Sequence, residues 1–298
     1  MNNIKAFSSF KKIEPILKGW SSDTKYYIET SGGKKLLLRI ADISLYDQKK
    51  TEFELMKQVS VLGVPMSQPL DFGLYQNEEN VYSLFTWCEG EDAETALPKL
   101  AESKQYELGV ESGRMLKKIH SISAPKEQED WSIRFNQKTS DKIERYNACG
   151  IRFDGDDNII NYIENNRYML LDRPQCYHHG DYHVGNMIIS PDNTLSIIDF
   201  NRSDFGDPWE EFNRIVWSAT LSPHFATGQL DGYFGGKPPI EFFNLLAFYI
   251  SSNTLSSIYW AITYGENQIL TMKNQAKDIL YWFDNMESTI PTWYGGEK

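Results

Sequence analysis

Alternating apolar and polar residues appear first in Tyr26-Tyr27-Ile28-Glu29-Thr30 and again in Lys35-Leu36-Leu37-Leu38-Arg39-Ile40, with Ser31-Gly32-Gly33-Lys34 between them. Two such runs around a glycine-rich turn predict a β-hairpin. From about Asp47 to Leu62 the residues Phe53, Met56 and Val59 recur at helical spacing, Leu55 and Leu62 less regularly, and Gly63-Val64-Pro65 ends the run, so one helix is expected there. Two further strands, Gln68 to Leu74 and Val81 to Thr86, flank the polar turn Gln76 to Asn80. After Trp87-Cys88-Glu89-Gly90 the period changes. Tyr106 to His120 puts Leu108, Gly109, Ser112, Met115, Leu116 and Ile119 on one side of a helix, and Trp209 to Trp282 is again helical, with short strands around 186 to 200 in between. The pattern predicts an α+β protein: a small antiparallel sheet with one helix over residues 1–88, and a mainly helical remainder, 89–298. No internal repeat or low-complexity stretch is present.

Composition narrows the class without naming a reaction. A chain of 298 residues suffices for two lobes with a sizeable core, and 41% hydrophobic with 24% charged residues excludes disorder and fibre. The net charge of −11 argues against nucleic acid or an anionic membrane as partner and suits a cationic small molecule. Cys88, Cys149 and Cys176 are odd in number and widely spaced, with no C-x-x-C pair, so neither a disulfide framework nor a structural zinc site is indicated and a cytoplasmic setting is expected. No stretch approaches the roughly 18 apolar residues of a membrane span, and residues 1–19 lack a signal-peptide core.

Chemistry enters at His179-Gly180-Asp181-Tyr182-His183-Val184-Gly185-Asn186, followed after a short apolar segment by Ile197-Ile198-Asp199-Phe200. Phosphoryl transfer to a hydroxyl requires an oriented acceptor, a metal on the phosphates and neutralised charge on the moving group. Asp181 is suited to take the hydroxyl proton, while the Asn186 carbonyl oxygen and the Asp199 carboxylate suit one or two hard cations such as Mg²⁺. Alone, an Asp or Asn in a polar turn is a turn-former; the ordered combination points to phosphoryl transfer. His178, His179 and His183 raise a zinc alternative, but Gly180 and Gly185 undermine the helix that the His179/His183 spacing needs and no nearby Cys completes a site. A Ser-His-Asp hydrolase is disfavoured because no G-x-S-x-G elbow is present.

These segments, with Gly206-Asp207-Pro208-Trp209-Glu210-Glu211-Phe212, resemble the aminoglycoside phosphotransferase and choline kinase family, which has a protein-kinase-like two-lobed fold. The resemblance implies Asp181 as catalytic base, Asn186 and Asp199 as metal ligands, His179 as a buttress of the catalytic loop and Asp207 as organiser of the loop beneath the site. It implies a nucleotide-binding N-lobe, 1–88, a C-lobe, 89–298, with the catalytic loop and acceptor-binding helices, and ATP or GTP with Mg²⁺ as donor. It also implies a phosphate-binding cation on an N-lobe strand, and here Arg39 stands where many kinases carry Lys. Arg offers a planar fork and is not interchangeable with Lys. Its acidic partner is expected to be Glu52, with Glu54 the rival. The segment Gly19 to Lys25 lies where a phosphate-covering loop is expected and brings in Ser21, Ser22 and Lys25, although it lacks G-x-G-x-x-G. Phe85 to Gly90 resembles the hinge, where backbone groups of Thr86 and Cys88 would meet the purine.

Only seven residues separate Asp199 from Asp207, which leaves little room for the peptide-docking segment of protein kinases, so a small-molecule hydroxyl acceptor is expected. Glu210, Glu211, Asp284 and Glu287, set among aromatic residues, are candidates to bind its ammonium groups through charge-assisted hydrogen bonds or beside a cation–π box. Three functions stay open. The leading one is a kinase for an aminoglycoside or related antibiotic; the others are a metabolite kinase for choline, an amino alcohol or a sugar derivative, and an inactive nucleotide-binding regulatory module.

Overall fold

The hairpin forms where the alternation puts it, as β2 (Thr24–Thr30) and β3 (Lys35–Asp42), and a third strand, β1 (Phe10–Ile16), pairs outside it. The computed structural model describes residues 4, 6–17, 23–75 and 78–295. After β3 comes helix α1 (Tyr46–Val61), then β4 (Pro69–Tyr75) and β5 (Asn80–Thr86), giving a five-stranded antiparallel sheet in the order β1-β2-β3-β5-β4. Ile28, Leu36, Leu38, Tyr82 and Leu84 alternate inward to make the sheet's buried face. On α1, Lys49, Phe53, Met56 and Val59 share the buried side, and the Phe53 ring packs at 5.4 Å from Phe72 and 5.8 Å from Phe85. In register, Arg39 on β3 lies opposite Lys25 on β2 and Ser83 on β5, so the three share one face of the sheet.

Beyond β6 (Glu91–Asp92) the chain runs through α2 (Ala93–Ala96), α3 (Glu102–Ile119), α4 (Trp131–Ala148) and α5 (Asp156–Asn166) before short strands β7 (Cys176–His178), β8 (Met187–Ile189), β9 (Leu195–Ile197) and β10 (Asp204–Gly206). It closes with α6 (Ile215–Leu221), α7 (Pro223–Phe234), α8 (Ile240–Ala261) and α9 (Glu266–Trp282). By packing, the first compact unit reaches Ala93 and takes in Asn186–Ser203, a division that a linear boundary at 88 does not contain. The reason is pairing: β8 lies between β6 and β9, and the Ile197 N–H donates to the Pro65 carbonyl at 2.9 Å. In the second unit α8 is apolar on nearly all sides and packs against α4, α5 and α9, as a central helix must. None of the helices among the described residues is long and apolar enough to cross a membrane.

Helices α3 and α7 approach through Gly109 and Gly113 on one and Gly228 and Gly232 on the other. A Cβ at Gly113 would lie 2.0 Å from the Gln229 carbonyl oxygen, and one at Gly232 would lie 2.1 Å from that of Val110, so only hydrogen fits. Ser112, between the α3 glycines, accepts from Gln229 Nε2 at 3.2 Å and gives its carbonyl to the Tyr182 hydroxyl at 2.8 Å. Alanine is the better helix former by about 1 kcal/mol. Gly113→Ala is nevertheless expected to destabilise, by about 2 kcal/mol or more, because the clash is with backbone that cannot step aside. The midpoint of urea unfolding measures this.

Candidate active site

Tyr182 brings that helix pair to the loop between β7 and β8. The chain turns at Gly180, whose φ of 86° favours glycine, and the Gly180 N–H is held by both carboxylate oxygens of Glu211, at 2.9 and 3.2 Å. His179 is buried and accepts the Asp181 N–H at Nδ1, 3.2 Å away, while its ring meets Tyr182 edge-on at 5.6 Å. The Val184 N–H donates to Ser218 Oγ at 3.3 Å. With the loop pinned on both sides, the Asp181 side chain stays 20% exposed, 3.4 Å from Arg214 Nε and 3.6 Å from His183 Nε2. His183 Nδ1 accepts the Gly185 N–H at 3.1 Å, so the neutral ring carries its proton on Nε2, toward Asp181.

Asp207 lies beneath this loop, just after β10, which pairs with β7. It is fully buried and accepts from Arg173 Nε at 2.6 Å, Arg173 Nη2 at 3.0 Å, the Trp209 N–H at 2.9 Å and the Tyr249 hydroxyl at 2.6 Å. The Arg173 guanidinium in turn stacks 4.0 Å above the Trp209 ring.

In the first unit, β8 and β9 bring Asn186 and Asp199 to the same end of their hairpin, where the Ile198 N–H donates to the Asn186 carbonyl at 3.0 Å. Asp199 has a φ of 66°, in the left-handed region, and its carboxylate is 30% exposed. A carboxamide and a carboxylate oxygen, with no sulfur or nitrogen ligand, fit a hard cation.

Arg39 Nη1 reaches Asp199 Oδ1 at 3.2 Å, and its Nε and Nη2 grip Asp23 Oδ2 at 2.9 and 2.6 Å. The expected Arg39–Glu52 pair is not formed. Glu52 instead accepts from Lys49 Nζ at 3.2 Å and from Gln48 Nε2 at 2.8 Å, while Glu54 pairs with Lys57 on the exposed side of α1. Lys49 explains the difference: it turns inward one turn before Phe53 and bridges Glu52 to Asp23, also at 3.1 Å, so Asp23 stands between the two cations. Burial alone would push the Asp23 carboxyl up, but Arg39 and Lys49 outweigh it and hold it below the usual range. Asp23, Arg39, Lys49, Glu52, Phe85 and Phe200 line one cleft. Ser21 and Ser22 lie outside the described residues, and Lys25 sits beside Arg39 on the sheet face. The Thr86 N–H is taken by the Gln68 carbonyl at 2.9 Å, while the Cys88 N–H has no backbone acceptor among the described residues. The Cys88 thiol turns to Ser67 at 3.4 Å, and burial pushes its pKa up.

Among the four acceptor carboxylates expected from the sequence, Glu211 is corrected: its side chain is 1% exposed and serves Gly180, because the short 3₁₀ turn Glu210–Arg214 points it inward. Glu210 is 15% exposed, next to His178 at 3.7 Å; burial pushes its carboxyl up, but Lys138, His178, Lys142 and Arg214 outweigh this and hold it below the ordinary range. Asp284 and Glu287 are exposed on the turn after α9, which packs on α5 and α9, neither of which carries a residue named for the site. Asp23, Lys49 and Arg214 carried no signal in the sequence beyond charge; His183 was visible only as a zinc candidate.

Burial and Lys138 lower the Lys142 ammonium to about 7, where its Nζ donates to Ser252 at 3.3 Å. The folded pKa lies below the unfolded one, so between about pH 7 and 10.5 the unfolded chain binds more protons and stability rises with pH. Lys142→Met is expected to flatten that rise, read from urea midpoints at pH 7 and pH 9.5 for both proteins.

Residues 12–243 match the model of the APH phosphotransferase enzyme family, and the chain belongs to that family. It is a phosphotransferase, a kinase with a hydroxyl group as acceptor. No curated protein sequence matches it. Among solved structures, a thermostable aminoglycoside phosphotransferase APH(4)-Ia in complex with ADP and hygromycin B is similar with a TM-score of 0.65 and 15% identity, covering 93% of this chain and 96% of that one. Amicoumacin kinase hAmiN, in complex with AMP-PNP, Ca²⁺ and Ami, gives 0.63 and 11% over 97% and 94%. A streptomycin–ATP–APH(2")-IIa complex gives 0.60 and 18% over 91% of each chain. At these identities the structures establish the fold, which is kinase-like, with an antiparallel-sheet unit and a mainly helical unit.

Proposed function

We propose that the protein transfers the terminal phosphoryl group of ATP or GTP to a hydroxyl of an aminoglycoside or related antibiotic in the cytoplasm, conferring resistance. The observation that carries this reading is Asp181, a part-exposed carboxylate on a loop fixed at Gly180, His179, Tyr182 and Val184. Asp181 accepts the hydroxyl hydrogen bond and then its proton, while the His183 N–H and Arg214 orient the carboxylate. Asn186 and Asp199 would hold Mg²⁺, which when bound neutralises charge on the donor phosphates. Arg39 keeps the Asp199 carboxylate in place through one guanidinium nitrogen, and together with Lys49 and Lys25 supplies positive charge for phosphate oxygens. The Thr86 carbonyl and Cys88 N–H are the hinge groups for the purine.

The antibiotic reading draws on the company the fold keeps: solved relatives bind hygromycin B with ADP, and streptomycin with ATP. A cationic acceptor suits Glu210 and the net charge of −11. The second reading, a metabolite kinase, is favoured by one observation: Arg214 beside Asp181, with Lys138 and Lys142 around Glu210, would suit an acceptor that also carries an anionic group. The test is release of ADP or GDP with Mg²⁺ across aminoglycosides, other hydroxylated antibiotics, choline, sugars and hydroxy acids, with product mass as confirmation. Turnover of an antibiotic supports the first reading, turnover confined to metabolites the second, and nucleotide binding with no turnover an inactive module.

A further inference from the structure

A cluster in the second unit, distinct from the residues assigned to transfer, has the composition of a metal site. His120 ends α3, while Cys176 and His178 point to one side of β7, and one ring nitrogen of each His and the Cys sulfur lie within 4.8 Å of one another. All three side chains are buried, His120 to 3% exposure. His120 Nδ1 is engaged by the Tyr233 hydroxyl at 2.9 Å, and His178 Nδ1 faces Glu210 at 3.7 Å. The Nε2 atom of each ring is buried with no hydrogen-bond partner. Two such nitrogens beside one thiol are costly unless something accepts their lone pairs. Glu211, whose carboxylate accepts from Gly180, stands beside them.

We propose that His120 Nε2, Cys176 Sγ and His178 Nε2 form a buried three-ligand site for Zn²⁺. One thiolate and two neutral imidazoles leave a charge of +1 on the complex, which the Glu211 carboxylate, 3.7 Å from His120 Nε2, offsets without binding the ion; the Cys176 proton leaves to solvent as the metal–sulfur bond forms. Cys sulfur and His nitrogen are both zinc ligands, and tetrahedral bonds of this kind set the donor atoms about 3.5 Å apart, inside the 4.8 Å that bounds the three here. Tyr233 on His120 Nδ1 supplies the second hydrogen bond that fixes the tautomer of a metal-bound His. Gly206, opposite Cys176 on β10, has no Cβ; one there would come within 2.8 Å of His178 Cε1, so the glycine lets the His178 ring lie against β10. His179 and His183 stay outside, their Nδ1 atoms taken by the loop backbone. The ion would tie the end of α3 to the strand that leads into Asp181.

The test uses the full chain stripped with chelator and Co²⁺ added alone. One equivalent should bind with tetrahedral visible bands and a thiolate-to-cobalt band in the near ultraviolet, displaced by Zn²⁺. Cys176→Ala should lose the thiolate band and His120→Phe should weaken binding at least tenfold, while Cys88→Ala/Cys149→Ala keeps both. No stoichiometric binding by the wild type, or a thiolate band that survives Cys176→Ala, would overturn the proposal. Should the variants fail to fold by circular dichroism, X-ray absorption on the Zn²⁺-loaded wild type decides: one sulfur at about 2.3 Å with nitrogen and oxygen at about 2.0–2.1 Å supports it, and nitrogen and oxygen alone sinks it.

Discussion

Asp181→Asn is expected to lower the rate of phosphoryl transfer by about 10²- to 10⁴-fold, the usual worth of a positioned general base, and to leave nucleotide affinity unchanged. The substitution keeps the shape of the side chain and every hydrogen bond that pins the loop: Gly180 to Glu211, the Asp181 N–H to His179 and Tyr182 to Ser112. What it removes is the proton acceptor of the proposed transfer. Arg39, Lys49 and Asp23, which line the cleft of the first unit, belong to the other packing unit and are untouched. Product formation followed by mass and nucleotide titration calorimetry measure the two quantities separately. A variant that kept more than about a tenth of the wild-type rate would strip Asp181 of the base role. A loss of nucleotide affinity equal to the loss of rate would point to a disturbed fold instead.

Asp207→Ala is the second large effect, a loss of about 3–5 kcal/mol in stability. Four donors converge on this buried carboxylate, and its removal leaves the Arg173 guanidinium and the Tyr249 hydroxyl without their acceptor. Arg173→Met should cost less, because the Trp209 N–H and the Tyr249 hydroxyl still reach Asp207. The double variant should cost less than the two together, since each single change leaves a partner stranded. Urea unfolding of the four proteins closes the cycle. A loss for Asp207→Ala under about 1 kcal/mol would mean that the pair behaves as a surface ion pair.

Where the sequence was legible, two independent signals coincided. The β2–β3 hairpin has both alternation and a glycine turn, and α3 has the buried stripe Leu108, Gly109, Ser112, Met115, Leu116 and Ile119. Asn186 and Asp199 come to one end of a hairpin because the polar turn Ser190 to Thr194 folds the two short apolar strands back on each other. Strand β1 escaped notice because it is an edge strand with five consecutive exposed residues, so it shows no alternation. Charged residues were hardest to place. Glu52 looks like a partner for Arg39 by helical position, but Asp23, just before β2 and with no helical or strand pattern to mark it, takes Arg39, and Lys49, which any pattern would put in solvent, turns inward to bridge them. Glu210 and Glu211 are neighbours of one residue type, and only the 3₁₀ turn decides which is buried. His120 and Cys176 lie in separate stretches of sequence, and nothing local announces that strand β7 lays one against the other.

The division of the chain also has a consequence in time. The first unit needs Asn186–Ser203, yet about 110 residues separate Ala93 from Ser203. At a synthesis rate of 5–20 residues per second that is roughly 5–20 s of waiting. Through that interval β6 has no β8 beside it, and the backbone of Pro65 and Met66 has no β9 to bond. The nascent sheet unit therefore leaves the ribosome with an unpaired edge, and cold or slow translation should lengthen the window in which that edge can pair with the wrong chain.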